Sequence, residues 1–277
     1  MIREPLIDLA RQCLLPEDAV EASSIVDVVS TRAIPVLRYE DDELIGAALG
    51  SVGHTDPAAG HIDLVVVHPD HRRRGLARAM LEELENEFRQ RDLVTIRVRG
   101  NAPDYAWPGV DVRYTAAVCT LMALGYTHAS TTWNMTAPLP VDAPEPPPPE
   151  GIEIRRATRE DLSALHETVE AQWGPLWTVE AERAIDRGGA HIALRENAIV
   201  AFAAWGACRP SWFGPMGTLP GATGMGLGGI LLRRCLDDQA ALGLPGAQIS
   251  WVGPVQFYAN AVNAAIERVF FVFEKRM

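Results

Sequence analysis

Ile62-Asp-Leu-Val-Val-Val-His-Pro69-Asp-His-Arg72-Arg-Arg-Gly75-Leu-Ala77-Arg-Ala-Met-Leu-Glu82 is the stretch from which the rest of the chain can be read. Ile62 to Val67 is a short, β-branched and nearly all-apolar run, the pattern of a buried strand, and Pro69 ends it by removing a ladder donor. After the turn the apolar positions fall at Leu76, Ala77, Met80, Leu81, Leu84 and Phe88, with Glu82, Glu83, Glu85 and Glu87 between them. Spacing by threes and fours predicts an amphipathic helix. The order is therefore strand, basic glycine-containing turn, helix.

Such a junction favours an anion, because the first N–H groups of a helix have no partner within it and carry the positive end of its dipole. Gly75 lets the backbone come close, and Arg72, Arg73, Arg74 and Arg78 add formal charge around the same turn. Guanidinium groups match phosphate oxygens with paired hydrogen bonds, so a pyrophosphate fits there. The turn has neither the Gly-Lys-Ser/Thr of a nucleoside-triphosphate loop nor the three-glycine spacing of a dinucleotide site.

With 277 residues and 48% hydrophobic composition, the chain is long enough for one large or two ordinary domains with true cores. A net charge of −11 argues against an extended nucleic-acid surface. No apolar run approaches the roughly 18 residues of a membrane span, and Met-Ile-Arg-Glu-Pro does not open a signal peptide, so a cytoplasmic, membrane-free protein is expected. Cys13, Cys119, Cys208 and Cys235 lack the paired spacing of metal or redox sites, which predicts reduced core thiols and no metal. Lys275 is the only lysine, a bias that a GC-rich genome explains without function.

Along the chain, a helix is predicted through Leu6–Leu14, another after Pro16, and a strand near Val36–Tyr39 that turns at Glu40–Glu43 into Leu44–Leu49. After the helix that follows Gly75, Val94–Arg99 alternates as a strand and ends at Gly100-Asn101. Ala102–Asp111, with Tyr105 and Trp107, is too aromatic for an idle loop. A helix from about Arg113 to Leu124 then stops at Gly125, and Tyr126–Thr136 returns as a strand. The proline-rich run 138–151 reads as a linker. Beyond it the order repeats: strand Ile152–Arg156, a helix capped at Thr158, a meander through His191–Trp205, then Pro220 and Gly224-Met-Gly226-Leu-Gly228. Pro69 and Pro220, Gly75 and Gly226, and Ala77 and Gly228 are each 151 positions apart, a duplication in register at the turn.

Arg72-x-x-Gly75-x-Ala77 after a strand resembles the acyl-CoA signature of GNAT-type N-acyltransferases, and the repeat extends the resemblance to a tandem GNAT protein over nearly the full chain. It implies an α/β fold of two GNAT-like domains, each a mixed, mostly antiparallel sheet flanked by helices, at 1–137 and 151–277 with a linker at 138–150. It also implies an N-acyltransferase that uses acetyl-CoA or another acyl-CoA as co-substrate, without metal. The acceptor would be an amine of a small molecule, and a carrier-protein pantetheine is a variant donor.

Donor contacts are implied at Val65, Val66, Val67, Arg72, Arg73, Arg74, Gly75, Leu76, Ala77, Arg78 and Asn101, and in the second half at Gly224, Gly226 and Gly228. There Thr223 and Met225 stand where the register puts Arg72 and Arg74, which predicts weaker anion binding. The family's proton-donating Tyr would align with Leu121, leaving Tyr114 or Tyr105 to substitute, Asp111 as an acid that could instead cap the next helix, and Tyr258 as the second half's candidate. Trp173, Trp177, Trp205, Trp212 and Trp251 could line an acceptor or acyl pocket or simply fill a core. A non-catalytic acyl-CoA-binding module is the alternative, and aminoacyl-tRNA-dependent transfer is disfavoured by charge.

Overall fold

The computed structural model describes residues 2–142 and 144–277; Met1, in the expected first domain, and Ala143, in the expected linker, lie outside the described residues. The strands are β1 (Ile34–Glu40), β2 (Glu43–Val52), β3 (Ala59–Val67), β4 (Thr95–Val98), β5 (Val110–Asp111), β6 (Thr127–Pro138), β7 (Glu153–Arg156), β8 (Gly189–Arg195), β9 (Ala198–Trp205), β10 (Trp212–Thr218), β11 (Gly246–Ile249) and β12 (Ala265–Arg276). The helices are α1 (Arg3–Cys13), α2 (Pro16–Ala19), α3 (Ala22–Val29), α4 (Leu76–Arg89), α5 (Thr115–Ala123), α6 (Leu162–Trp173), α7 (Pro175–Arg187), α8 (Leu227–Ala241) and α9 (Val255–Val262). The fold is α/β, with mostly antiparallel sheets flanked by helices, as the residues led us to expect.

The chain divides into two compact units, residues 1–132 with 268–277 and residues 133–267. It changes unit inside β6 and inside β12, not in the proline-rich run. That run is also not a free tether: Glu145 accepts from Arg234 of α8 at 2.9 Å, and Leu139 and Val141 pack on the second core.

In the first unit the sheet order is β1-β2-β3-β4, followed by the C-terminal part of β12, which also carries β5. β1, β2 and β3 form an antiparallel meander, and β3 and β4 run parallel. β2 is buried along most of its length with no alternation, the mark of a strand covered on both faces. α4 packs Met80, Leu81, Leu84 and Phe88 onto one face with Ile62, Ile96 and Phe273. Gly60 makes room for it: a Cβ there would lie 2.7 Å from the Phe88 ring. The second unit orders its strands β6-β11-β10-β9-β8-β7, with α8 supplying Ile230, Leu231, Cys235 and Leu236 to its core. Thr158 does cap as predicted, in a reciprocal box with Asp161, although a short 3-10 turn precedes α6.

Candidate donor and acceptor site

β3 and β4 pair only through Ala59↔Thr95, Gly60↔Ile96 and His61↔Arg97, after which β3 runs on unpaired on that side to Val67. The far bank of this gap is β5, because β12 pairs first with β4 (Val98↔Phe273) and then with β5 (Asp111↔Phe270). His68 N–H donates to Ile45 of β2 at 2.8 Å. Successive strand residues present their N–H groups to opposite sides, so those of Val67 and Val65 face the gap, while Val66 faces β2. At the end of β3 a 3-10 turn, Pro69–His71, leads to Gly75, whose φ of 82° caps α4 in the left-handed region. Arg73 is also left-handed, at φ 65°, a conformation that costs a residue with a Cβ about 1–2 kcal/mol.

The four arginines surround this turn, and three of them have local contacts. Arg72 Nε donates to Val67 O at 3.1 Å, Arg74 to Asp70 O at 3.3 Å, and Arg78 lies 3.8 Å from Glu82. Leu76 and Ala77 begin α4, so their N–H groups are among those without an intrahelical partner. Asn101, expected at the donor, has its amide otherwise engaged: it donates to Ser51 Oγ at 2.8 Å and Val52 O at 3.0 Å, and accepts from His54 N–H.

Two residues expected at the chemistry, Asp111 and Tyr114, are held in a hydrogen-bonded network. Asp111 has no exposed side-chain surface; it accepts from Arg113 and from Arg268, itself buried, at 2.8 Å each. Burial raises its pKa, but the two guanidinium groups outweigh that and hold it below the usual carboxylate range. Tyr114 donates to Asp18 at 3.1 Å and accepts from Leu15 N–H at 2.8 Å. Burial and then the Asp18 charge push its phenol far up, and the hydroxyl has no free position from which to serve a thiolate. The cause lies beyond local sequence, since Asp18 and Arg268 form the centre of this network. Tyr105 is only 8% exposed within the loop that leads to β5.

The second unit repeats the geometry. β10 and β11 pair only at Trp212↔Gln248, 151 positions beyond His61↔Arg97, and at Phe213↔Ile249, one step further along, and Gly224 and Gly226 take φ of 85° and 78°. Thr223 and Met225 do replace the arginines, but Arg195, the last residue of β8, reaches Gly221 O and Met225 Sδ from the side. Gly228 lies in α8 close to Met216. Tyr258 stands on α9 with its ring against Phe213 and Phe257, and among the described residues nothing hydrogen-bonds its hydroxyl. Burial pushes its pKa up to about 12. Of the tryptophans, Trp205 and Trp212 are core; Trp173 and Trp177 stack half-buried, 5.8 Å apart, with Trp173 lying over Gly217 of β10. Cys208 and Cys235 are buried thiols, whereas Cys13 is half-buried and Cys119 exposed, so only two are core.

Sequence reasoning passed over Asp63. The β2–β3 register moves from Leu49↔Leu64 to Gly50↔Ile62, leaving Asp63 as the extra residue of a bulge at the mouth of the gap. Burial raises its pKa to about 7, opposed by a hydrogen bond with Ser51 and by the charge of Arg32. The residue keeps some exposed surface, while its carboxyl is enclosed. The signal was present as a lone acid inside an apolar strand run. In the second unit the corresponding position is Gly214, again at a bulge, where Gly214 and Pro215 oppose Ala204.

Among the described residues no cluster of three His, Cys, Asp or Glu side chains could hold a metal, and no helix is long and apolar enough to cross a membrane.

Residues 8–105 match the model of the acetyltransferase (GNAT) family. A mycothiol acetyltransferase of Thermomonospora curvata is 30% identical over 238 residues, covering 79% of this chain and 73% of that protein. One from Salinispora arenicola is 33% identical over 119 residues, 43% of this chain but only 34% of the relative's length. Among solved structures, a tandem GNAT protein from the clavulanic acid biosynthesis pathway aligns over 99% of this chain and 94% of its own at TM-score 0.72 and 15% identity. A GCN5-related N-acetyltransferase from Sphaerobacter thermophilus covers 98% and 91% at TM-score 0.68 and 19% identity. With the split strands, the left-handed turn and its duplicate, these similarities make the chain a member of the GNAT family of acetyltransferases.

Proposed function

We propose that the chain moves an acetyl group from acetyl-CoA to an amine of a small molecule, with the donor in the first unit and Asp63 as the base. The observation that carries this is the convergence there of an arginine-bearing left-handed turn, a strand gap and a carboxyl at the bulge. The donor pyrophosphate rests on the turn from Arg72 to Ala77 with Arg78 beside it, and the pantetheine arm enters the gap. The N–H groups of Val65 and Val67 face that gap, and a fixed N–H aimed at the thioester carbonyl stabilises the charge that develops on its oxygen. The amine nitrogen attacks the carbonyl carbon, the C–N bond forms, and the C–S bond breaks with its electron pair leaving on sulfur. The amine's proton goes to Asp63. A base with a pKa near 7 is partly ionised at neutral pH and strong enough to accept that proton.

The names of the relatives make a mycothiol-related amine the first acceptor to test. A second reading puts chemistry in the second unit, with the unbonded Tyr258 hydroxyl protonating the leaving thiolate. A thiol-release assay with acetyl-CoA across a panel of small amines, beside calorimetry with CoA, tests the proposal. Turnover on a mycothiol-related amine is expected. CoA binding without turnover on any amine favours a non-catalytic acyl-CoA module. Turnover only with acyl-carrier protein moves the donor from CoA to a carrier, and no CoA binding at all removes the donor site.

A further inference from the structure

Residues 12–18 are tied by hydrogen bonds both to the end of β3 and to the chain on either side of β5. On the β3 bank, the Cys13 thiol donates to Val67 O at 3.2 Å and Gln12 meets His68 at 2.8 Å. On the β5 bank, Leu15 N–H donates to Tyr114, and Asp18, fully buried, accepts from Tyr114 and Trp107 at 3.1 Å each. Asp18 also takes both terminal nitrogens of Arg268, at 2.7 and 2.8 Å, while Arg268 Nε donates to Asp111 of β5.

A carboxylate with at least four donors and no solvent is a rigid anchor; here two buried carboxylates face one buried arginine, and Arg113 joins Asp111 to the half-exposed Glu17. An ordinary surface loop does not require such an anchor. Here it fixes a short segment over the stretch where β3 has no strand partner.

We infer that Cys13–Asp18 is a strap across the donor gap, that Asp18, Tyr114 and Arg268 are its positioning residues, and that a bound pantetheine arm lies beneath it. The first unit's site is then incomplete without Arg268, a residue 250 positions from Asp18. This rests on the donor reading above.

Hydrogen exchange on the full chain, with and without CoA, separates the two claims. CoA should slow exchange at residues 72–79 and also at 13–19. In Tyr114→Phe, exchange at Leu15 should rise about tenfold, the loss of roughly one net hydrogen bond, and the CoA-dependent protection of 13–19 should shrink while that of 72–79 persists. Unchanged exchange in β2 shows that the variant is folded. Protection at 72–79 with none at 13–19 overturns the strap and keeps the donor site. A Tyr114→Phe variant whose 13–19 exchange and protection match wild type overturns the positioning role. Protection at neither segment overturns the donor reading and the strap with it.

Discussion

The two turns of this protein share a backbone and differ in almost every charge. Positions 73 and 75 are left-handed in the first, 224 and 226 in the second, at φ of 65°, 82°, 85° and 78°. The first carries Arg72, Arg73 and Arg74 with Asp63 at the upstream bulge; the second carries Thr223, Gly224 and Met225 with Gly214 at its bulge. The ends of β1 and β8 differ in the opposite sense: Glu40 stands 3.9 Å from Arg74, whereas Arg195 leans on the second turn. Geometry alone therefore does not select the working site. What distinguishes the first unit is the combination of phosphate-matching charge and a carboxyl at the bulge; what distinguishes the second is a Tyr258 hydroxyl that nothing among the described residues hydrogen-bonds.

Asp63→Asn is the sharpest way to break the comparison. It should lower kcat/KM for the amine by about 10²- to 10⁴-fold, the usual contribution of a positioned base, while leaving CoA affinity near wild type. Asp63 must be deprotonated to act, so the wild-type rate should rise with pH through about 7, and the variant should lose that limb. Stability changes in the opposite sense. A carboxyl whose pKa is raised in the folded state binds more protons folded than unfolded between about 4 and 7, so stability should fall as pH rises through that window, less so in Asp63→Asn. A pH series of denaturant melts reads it.

Arg72→Ala should weaken CoA binding about tenfold, the loss of a charge-assisted contact, measured by calorimetry. Arg195→Ala, which removes a guanidinium bonded to the second turn, should leave the same titration unchanged. Tyr258→Phe should alter turnover less than twofold. A hundredfold loss would instead move the chemistry to the second unit, where that hydroxyl has no other protein partner among the described residues.

Local patterns reached most of the fold, because strand–turn–helix at Ile62–Phe88 and its copy at Gly224–Gly228 are set by neighbours in the chain. The exchange of β6 and β12 between units was not legible: a 12-residue strand shows no mark of where its partner changes, since pairing is chosen by residues far away. The commitments of Asp111 and Tyr114 were hidden for the same reason. Their partners Asp18 and Arg268 lie 96 and 157 residues away, and only folding shows that both side chains are already committed. Asp63 was present in the quoted stretch, yet a single acid in an apolar run does not reveal a bulge.

The most direct test compares Gly75→Glu with Gly226→Glu. Both positions are left-handed, and a Cβ at either meets nothing within 4 Å, so backbone strain and space are matched and the difference lies in the ligand. Dissociation constants for CoA should show binding abolished in Gly75→Glu, by bulk and by a carboxylate opposing the phosphates, and changed by no more than about 1 kcal/mol, or roughly fivefold, in Gly226→Glu. Abolished binding in Gly226→Glu with Gly75→Glu silent would contradict the account and place the working donor site in the second unit.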